Sequence, residues 1–309
     1  MYRVRVIRIA AIVAVAAVLV LAGTAAGSAQ KQAGFSPTTV LKNGAKFVDP
    51  QGDSGSVADI VSVQVSNDDA GKIDFAIGFA NRNGGLTMDD VIQIPLDADG
   101  AFYTGHNGFE YLLQVSVYGV ELLVDAGGTY ALGDATPDAT FGDGVLTLEV
   151  DFRDLADTAS LRFYVAADSL SPSPGVYDWA PDGDALYRYT VDVPLLVDQW
   201  DGIPTPTAGL TWALSGLVTT NNTERGGVTC AATLGGRRLT GTGRWTAMPV
   251  AAPSPPAGEI APPGPYAYKA AVSCLFKLPK TARRKTLKGT ITLAKDGVTV
   301  RRAFSQRVH

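Results

Sequence analysis

Apolar and polar residues alternate with a period of two along most of this chain, in many short runs. Val61, Val63 and Val65 are separated by Ser62, Gln64 and Ser66. Ile73, Phe75, Ile77 and Phe79 form the next run, followed by Tyr111, Leu113, Val115 and Val117, and by Val120, Leu122 and Val124. Leu146, Leu148, Val150 and Phe152 come later, then Leu161, Phe163 and Val165, then Tyr187, Tyr189, Val191 and Val193. Successive side chains of a strand point to opposite faces, so each run predicts a strand with one buried face. Gly, Asn, Asp or Pro separates the runs, as turns require. No apolar stripe of helical period exceeds two turns. Short strands punctuated by turns predict an all-β fold, a jelly-roll-like sandwich over residues 47–196. Pro95 lacks the N–H that a central strand donates, so 91–96 is expected at a sheet edge.

The pattern pauses at DGIPTPTAG (201–209), and a linker is expected over 197–208. It resumes with Leu210, Trp212 and Leu214. Val228, Cys230, Ala232 and Leu234 share one face, and Tyr268, Ala270, Val272, Cys274 and Phe276 another. Leu287, Ile291 and Leu293 follow. Cys230 and Cys274 both point inward, as a cross-sheet bridge in an Ig-like sandwich over 209–309 requires. They are the chain's only cysteines. The stretch VAAPSPPAGEIAPPGP (250–265) is a Pro-rich insertion between strands and predicts an exposed loop.

Charge sharpens the division. From 30 to 204 there are 8 Lys/Arg against 27 Asp/Glu; from 205 to 309 there are 15 against 3. An acidic half is joined to a basic half, which speaks to solubility and partners, not to fold. Ahead of both, Arg3, Arg5 and Arg8 precede an apolar run and then small residues. That order predicts a signal peptide over 1–29 with a short lead-in at 30–46, and a secreted or cell-surface chain. No later apolar run approaches the ~20 residues that span a bilayer. Export makes a Cys230–Cys274 disulfide the expectation.

The candidate chemistry is acidic. In LDADGAFYTGHNG (96–108), Asp97 and Asp99 alternate in a Gly-containing turn, where carboxylates can converge on one hard cation such as calcium. Asp49, Asp53 and Asp59 form a second acidic group. Glu110, Glu121 and Glu149 alternate opposite the apolar faces and are expected in solvent.

Four segments carry a resemblance: DPQGDSGSVADI (49–60), the following VSVQVSND, LDADGAFYTG, and DWAPDGDALYRYTV (178–191). Together they resemble the DOMON-like superfamily and the family 9 carbohydrate-binding modules, secreted β-sandwich domains, over roughly 47–195. The resemblance implies an extracellular module that binds sugar or, in some members, haem, with a structural calcium in some. In such domains the acidic turn often reads Asp-x-Asp-x-Asn-x-x-Thr-Gly. Asp97, Asp99, Thr104 and Gly105 match it, and Ala101 replaces the Asn. Trp179 and Tyr103 are the candidate sugar-stacking residues. Met88 and His106 are the side chains that could serve a haem.

In the basic half, Lys280, Arg283, Arg284, Lys285 and Lys288 predict a positive patch. It suits a solvated face, a dock for the acidic half, or contact with anionic wall polymer. No aromatic residue is interleaved there, which argues against nucleic acid. GDSGS (52–56) matches the nucleophile loop of serine proteases, but that mechanism needs a His base, and the chain has only His106 and His309. Two His and no clustered Cys serve zinc poorly. The sequence therefore predicts a non-catalytic binding protein for extracellular glycan, or alternatively an adhesive envelope protein. A secreted hydrolase ranks below both.

Overall fold

The computed structural model describes residues 34–35, 39–41, 44–170, 177–183, 185–248 and 268–309. The expected leader (1–29) and Pro-rich loop (250–265) lie outside the described residues. In chain order the first fifteen strands are Gly34–Phe35 (β1), Thr39–Leu41 (β2), Gly44–Val48 (β3), Ile60–Asn67 (β4), Lys72–Phe79 (β5), Asp90–Asp97 (β6), Tyr111–Ser116 (β7), Gly119–Asp125 (β8), Tyr130–Leu132 (β9), Asp138–Gly142 (β10), Val145–Asp151 (β11), Ser160–Phe163 (β12), Val165–Ser169 (β13), Asp178–Ala180 (β14) and Leu186–Thr190 (β15). They form two sheets. One runs β1-β15-β12-β6-β7-β8-β9, with β13 also on β6 and β14 on β13; the other runs β10-β11-β5-β4-β3-β2.

The predicted apolar faces meet between these sheets. Phe75, Ile77, Leu113, Leu148, Leu161, Phe163 and Tyr187 all lie in one buried cluster. Phe47 stacks on Tyr187 across the sandwich at 4.2 Å, and Phe75 meets Phe163 edge-on at 5.4 Å. Burying each such side chain contributes roughly 1.5–3 kcal/mol. One alternation breaks. The β4–β5 register shifts between Ile60 and Ser62, so Ile60 joins Val63 and Val65 inside while Val61 turns partly out. A bulge inserts one residue and exchanges the faces beyond it.

Strand β6 is central, not an edge. It pairs with β7 on one side and with β12 and β13 on the other. Pro95 is accommodated because the second track is interrupted there. Arg162 pairs Asp97 and Phe163 pairs Leu96, then pairing resumes at Ala166 and Gln93. Tyr164, opposite Pro95 in that register, belongs to neither strand. The missing N–H faces this gap.

The remaining strands are Leu196–Trp200 (β16), Thr211–Thr220 (β17), Gly227–Leu234 (β18), Arg237–Thr240 (β19), Thr242–Met248 (β20), Tyr268–Lys277 (β21), Thr286–Lys295 (β22) and Val298–Arg307 (β23). They form sheets β16-β17-β21-β20 and β19-β18-β22-β23 around a second core. Trp212, Phe276 and Phe304 pack together there, with centroids 4.9 to 5.9 Å apart. The Cys230–Cys274 disulfide joins β18 to β21, with Cα atoms 5.6 Å apart.

The expected linker is built in. Its start is strand β16, paired with β17. Its end is pinned by Trp212 Nε1 donating to Pro204 O at 2.7 Å and by His309 N donating to Pro206 O at 2.9 Å. Trp200 packs on the second core with the Arg302 guanidinium 5.1 Å from its ring centroid. Two short 3-10 turns, Phe152–Leu155 and Lys280–Ala282, are the helical elements among the described residues. None is long and apolar enough to cross a membrane.

Candidate functional site

The acidic turn grows out of the end of β6. Asp97 and Glu110 sit in neighbouring tracks, and both point away from the core, as their parity with Ile94, Leu96, Leu113 and Val115 dictates. That outer face is not open to solvent here, because residues 98–110 fold back over it. Asp97 is 1% exposed. Its Oδ2 accepts from Arg162 Nε at 2.6 Å and from Arg162 Nη2, and its Oδ1 accepts from Gly100 N at 2.6 Å. Burial pushes its carboxyl upward, against the pull of Arg162.

Asp99 Oδ1 accepts from Ala101 N at 2.7 Å. The Thr104 hydroxyl lies 2.9 Å from Asp99 Oδ2, 2.8 Å from Ala101 O and 2.7 Å from Glu110 Oε1. One hydroxyl proton cannot serve all three. Glu110 Oε2 also accepts from Ala98 N at 2.8 Å. Burial, reinforced by Asp99 and Asp97, pushes Glu110 up to about 7. Glu110 is therefore not the solvated strand residue its alternation predicted. It completes a set with Asp97 and Asp99 whose carboxylate oxygens lie within 4.8 Å of one another. Ala101, where the related pattern has Asn, is buried, so its methyl is packed. Gly105 has φ +64°, and a Cβ there would stand 2.2 Å from Phe109 O, which explains the Thr-Gly pair.

The second acidic group assembles differently from its expected Asp49, Asp53 and Asp59. Asp59 turns back on its own loop, where Gly52 N donates to both its oxygens at 3.1 Å. The GDSGS stretch is thus a turn closed on Asp59, with Ser54 buried. Asp178, from β14, takes the third place beside Asp49 and Asp53, again with oxygens within 4.8 Å. Asp178 Oδ2 accepts from Ile60 N at 2.5 Å. Burial, with Asp53, Asp59 and Asp182 nearby, pushes Asp178 up to about 6. Asp49, 5% exposed, rises to about 8 through burial and then through Asp182, Asp178, Asp53 and Asp59.

The two groups differ in how their charge is met. The first holds Arg162 and a ring of donors, so a fixed positive charge already occupies Asp97. The second has no basic partner among the described residues. Its donor set is all hard oxygen, which is what calcium takes.

Trp179 lies on the outer side of β14, opposite Ala166, and the same row continues through Gln93, Gln114 and Glu121. Its ring is 5.0 Å from Tyr164 and 5.9 Å from Tyr177, and Tyr164 is 5.4 Å from Phe109. Trp179, Gln93 and Gln114 are half-buried, and Tyr177 is exposed. Tyr103, on the acidic loop, packs edge-on against the exposed Phe102 at 5.6 Å. Met88 and His106 lie beyond opposite ends of β6, too far apart to flank one haem, and His106 Nδ1 is 2.7 Å from Gly128 O.

On the second sandwich, Lys280, Arg283, Arg284, Lys285 and Lys288 are all exposed. Lys288, Thr233 and Arg238 form one cross-strand row. That row borders a shallow hollow of about 610 Å³, also lined by Thr229 and Thr290. Lys269, by contrast, bridges the halves, 2.6 Å from Asp157 and 3.2 Å from Asp198.

No protein-family model and no curated protein matches the chain. Among solved structures it is similar to the crystal structure of Rst D1-D2, at 12% identity and a TM-score of 0.29, over 87% of this chain and 99% of that one. It is also similar to a crystal structure of chicken TCR, at 12% identity and a TM-score of 0.21, over 77% and 93%. Likeness at this level carries no argument about ligand.

Proposed function

We propose that the chain is an exported, non-catalytic binding protein for extracellular glycan, with a divalent cation as a structural part of its first sandwich. The observation that carries the sugar part is the aromatic face around Trp179. Sugar rings stack their C–H faces on such rings while neighbouring amides bond the hydroxyls. Trp179, Tyr164 and Tyr177 supply the rings, and Gln93 and Gln114 supply amides in the same row. Tyr103 and the exposed Phe102 form a separate aromatic pair on the acidic loop. Export is supported by the basic, apolar and small-residue order of residues 1–29 and by the disulfide. The DOMON-like resemblance points the same way.

A second reading, adhesion to anionic wall polymer, draws on the exposed Lys280, Arg283, Arg284, Lys285 and Lys288 of the second sandwich, none of them ion-paired among the described residues. A pull-down on a panel of insoluble polysaccharides tests the first. Wild type should be retained on at least one neutral polysaccharide and Trp179→Ala released. Equal retention of both would exclude the aromatic face.

A further inference from the structure

We propose that Asp49, Asp53 and Asp178 form a calcium site that clamps the strand bearing Trp179 onto the opposite sheet. This deepens the cation part of the reading above and is independent of its sugar part.

Asp49 follows β3, is 5% exposed, and its Oδ2 is a buried acceptor with no hydrogen-bond donor. Leaving a buried carboxylate oxygen without a donor is costly, so the site lacks a positive partner. The groups facing it are acidic: Asp53 from the following loop, Asp178 from β14, and Asp59 and Asp182 close by. Three of these converge, with one oxygen each of Asp49, Asp53 and Asp178 within 4.8 Å of one another. Three carboxylates converging on one point suit calcium, which takes most of its oxygen ligands from the protein, whereas magnesium keeps several waters and is usually held by one or two carboxylates.

The contrast with Asp97, Asp99 and Glu110 selects between the two acidic groups. There Arg162 and the backbone N–H groups of Gly100, Ala101 and Ala98 already meet Asp97, Asp99 and Glu110. The location matters too. Asp49 and Ile60 belong to the β3–β4 side of the sandwich, whereas Asp178 belongs to the other sheet, one residue before Trp179. An ion shared among them would tie the aromatic face to both sheets.

The test is calorimetric titration of the metal-free full chain with calcium chloride and magnesium chloride, with thermal unfolding in calcium and in EDTA. Wild type should bind one calcium at this site, prefer it to magnesium, and melt several degrees higher with it. Asp53 is exposed, so Asp53→Asn keeps the fold and should weaken calcium at least tenfold. Asp49→Asn should abolish the response and match or exceed wild type in EDTA, since a neutral amide replaces a crowded carboxylate. Glu110→Gln should leave the response intact. Absence of calcium binding by wild type would overturn the proposal. So would a response that survives Asp53→Asn and Asp49→Asn but disappears in Glu110→Gln. All arms omit polysaccharide, so failure here leaves the glycan pull-down to stand or fall by itself.

Discussion

Replacing Cys230 and Cys274 together by alanine should destabilise the second sandwich by about 4 kcal/mol and leave the first nearly untouched. The disulfide closes 44 residues of chain. The loop-entropy treatment assigns a cross-link of that length about 4 kcal/mol, through states it removes from the unfolded chain. A domain of this size loses roughly 4–8 °C per kcal/mol, so its melting point should fall by about 15–30 °C. Trp212 and Trp245 are buried in that core, and Trp200 packs on it, so tryptophan emission reports chiefly on this half. Hydrogen exchange of peptides from β5 and β11, which lie in the separate first core, supplies the comparison. A loss below ~1 kcal/mol would refute the entropy argument. Equal loss of protection in β5 and β11 would refute two separate cores.

Two further predictions concern the acidic residues. Arg162→Met should cost about 3–5 kcal/mol in urea unfolding, because it strands the buried Asp97 charge, and adding Asp97→Asn should recover most of it. An additive double variant would contradict this. In EDTA, urea midpoints should fall as pH rises from about 5 to about 8.5. Burial, followed by acidic neighbours for Asp49, raises Asp178 to about 6, Glu110 to about 7 and Asp49 to about 8. A carboxyl raised on folding stabilises fully below its unfolded pKa and loses that contribution as pH climbs through the folded one. Asp90 and Asp151, held low despite burial by hydrogen bonds from Arg82 and Arg153, act below that window. Midpoints that are flat or rising would contradict the assignment.

What was legible in the sequence was what one strand decides alone. Phe75 and Ile77, or Cys230 and Ala232, show their buried face by parity, and the disulfide follows from two inward cysteines. What was not legible depends on partners. Pro95 reads as an edge residue, yet its missing N–H meets a break between β12 and β13 that no local pattern reveals. Glu110 points outward as predicted, but a fold-back loop covers that face. Asp178 lies 129 residues from Asp49, and long-range convergence leaves no periodicity. Asp59 reads as a ligand from proximity in sequence, whereas its oxygens face Gly52 N of its own loop and Asp178 takes the third place beside Asp49 and Asp53.

The central claim is that the Trp179 face binds glycan. Affinity electrophoresis tests it most directly, comparing wild type, Trp179→Ala and an Arg283→Ala/Arg284→Ala/Lys285→Ala variant in polysaccharide gels at low and high salt. The account predicts retardation on a neutral polysaccharide that persists in high salt, survives in the triple variant, and drops at least tenfold in Trp179→Ala with unfolding unchanged. Retardation that vanishes in high salt or in the triple variant, and is indifferent to Trp179, would contradict it and place the binding surface on the basic sandwich.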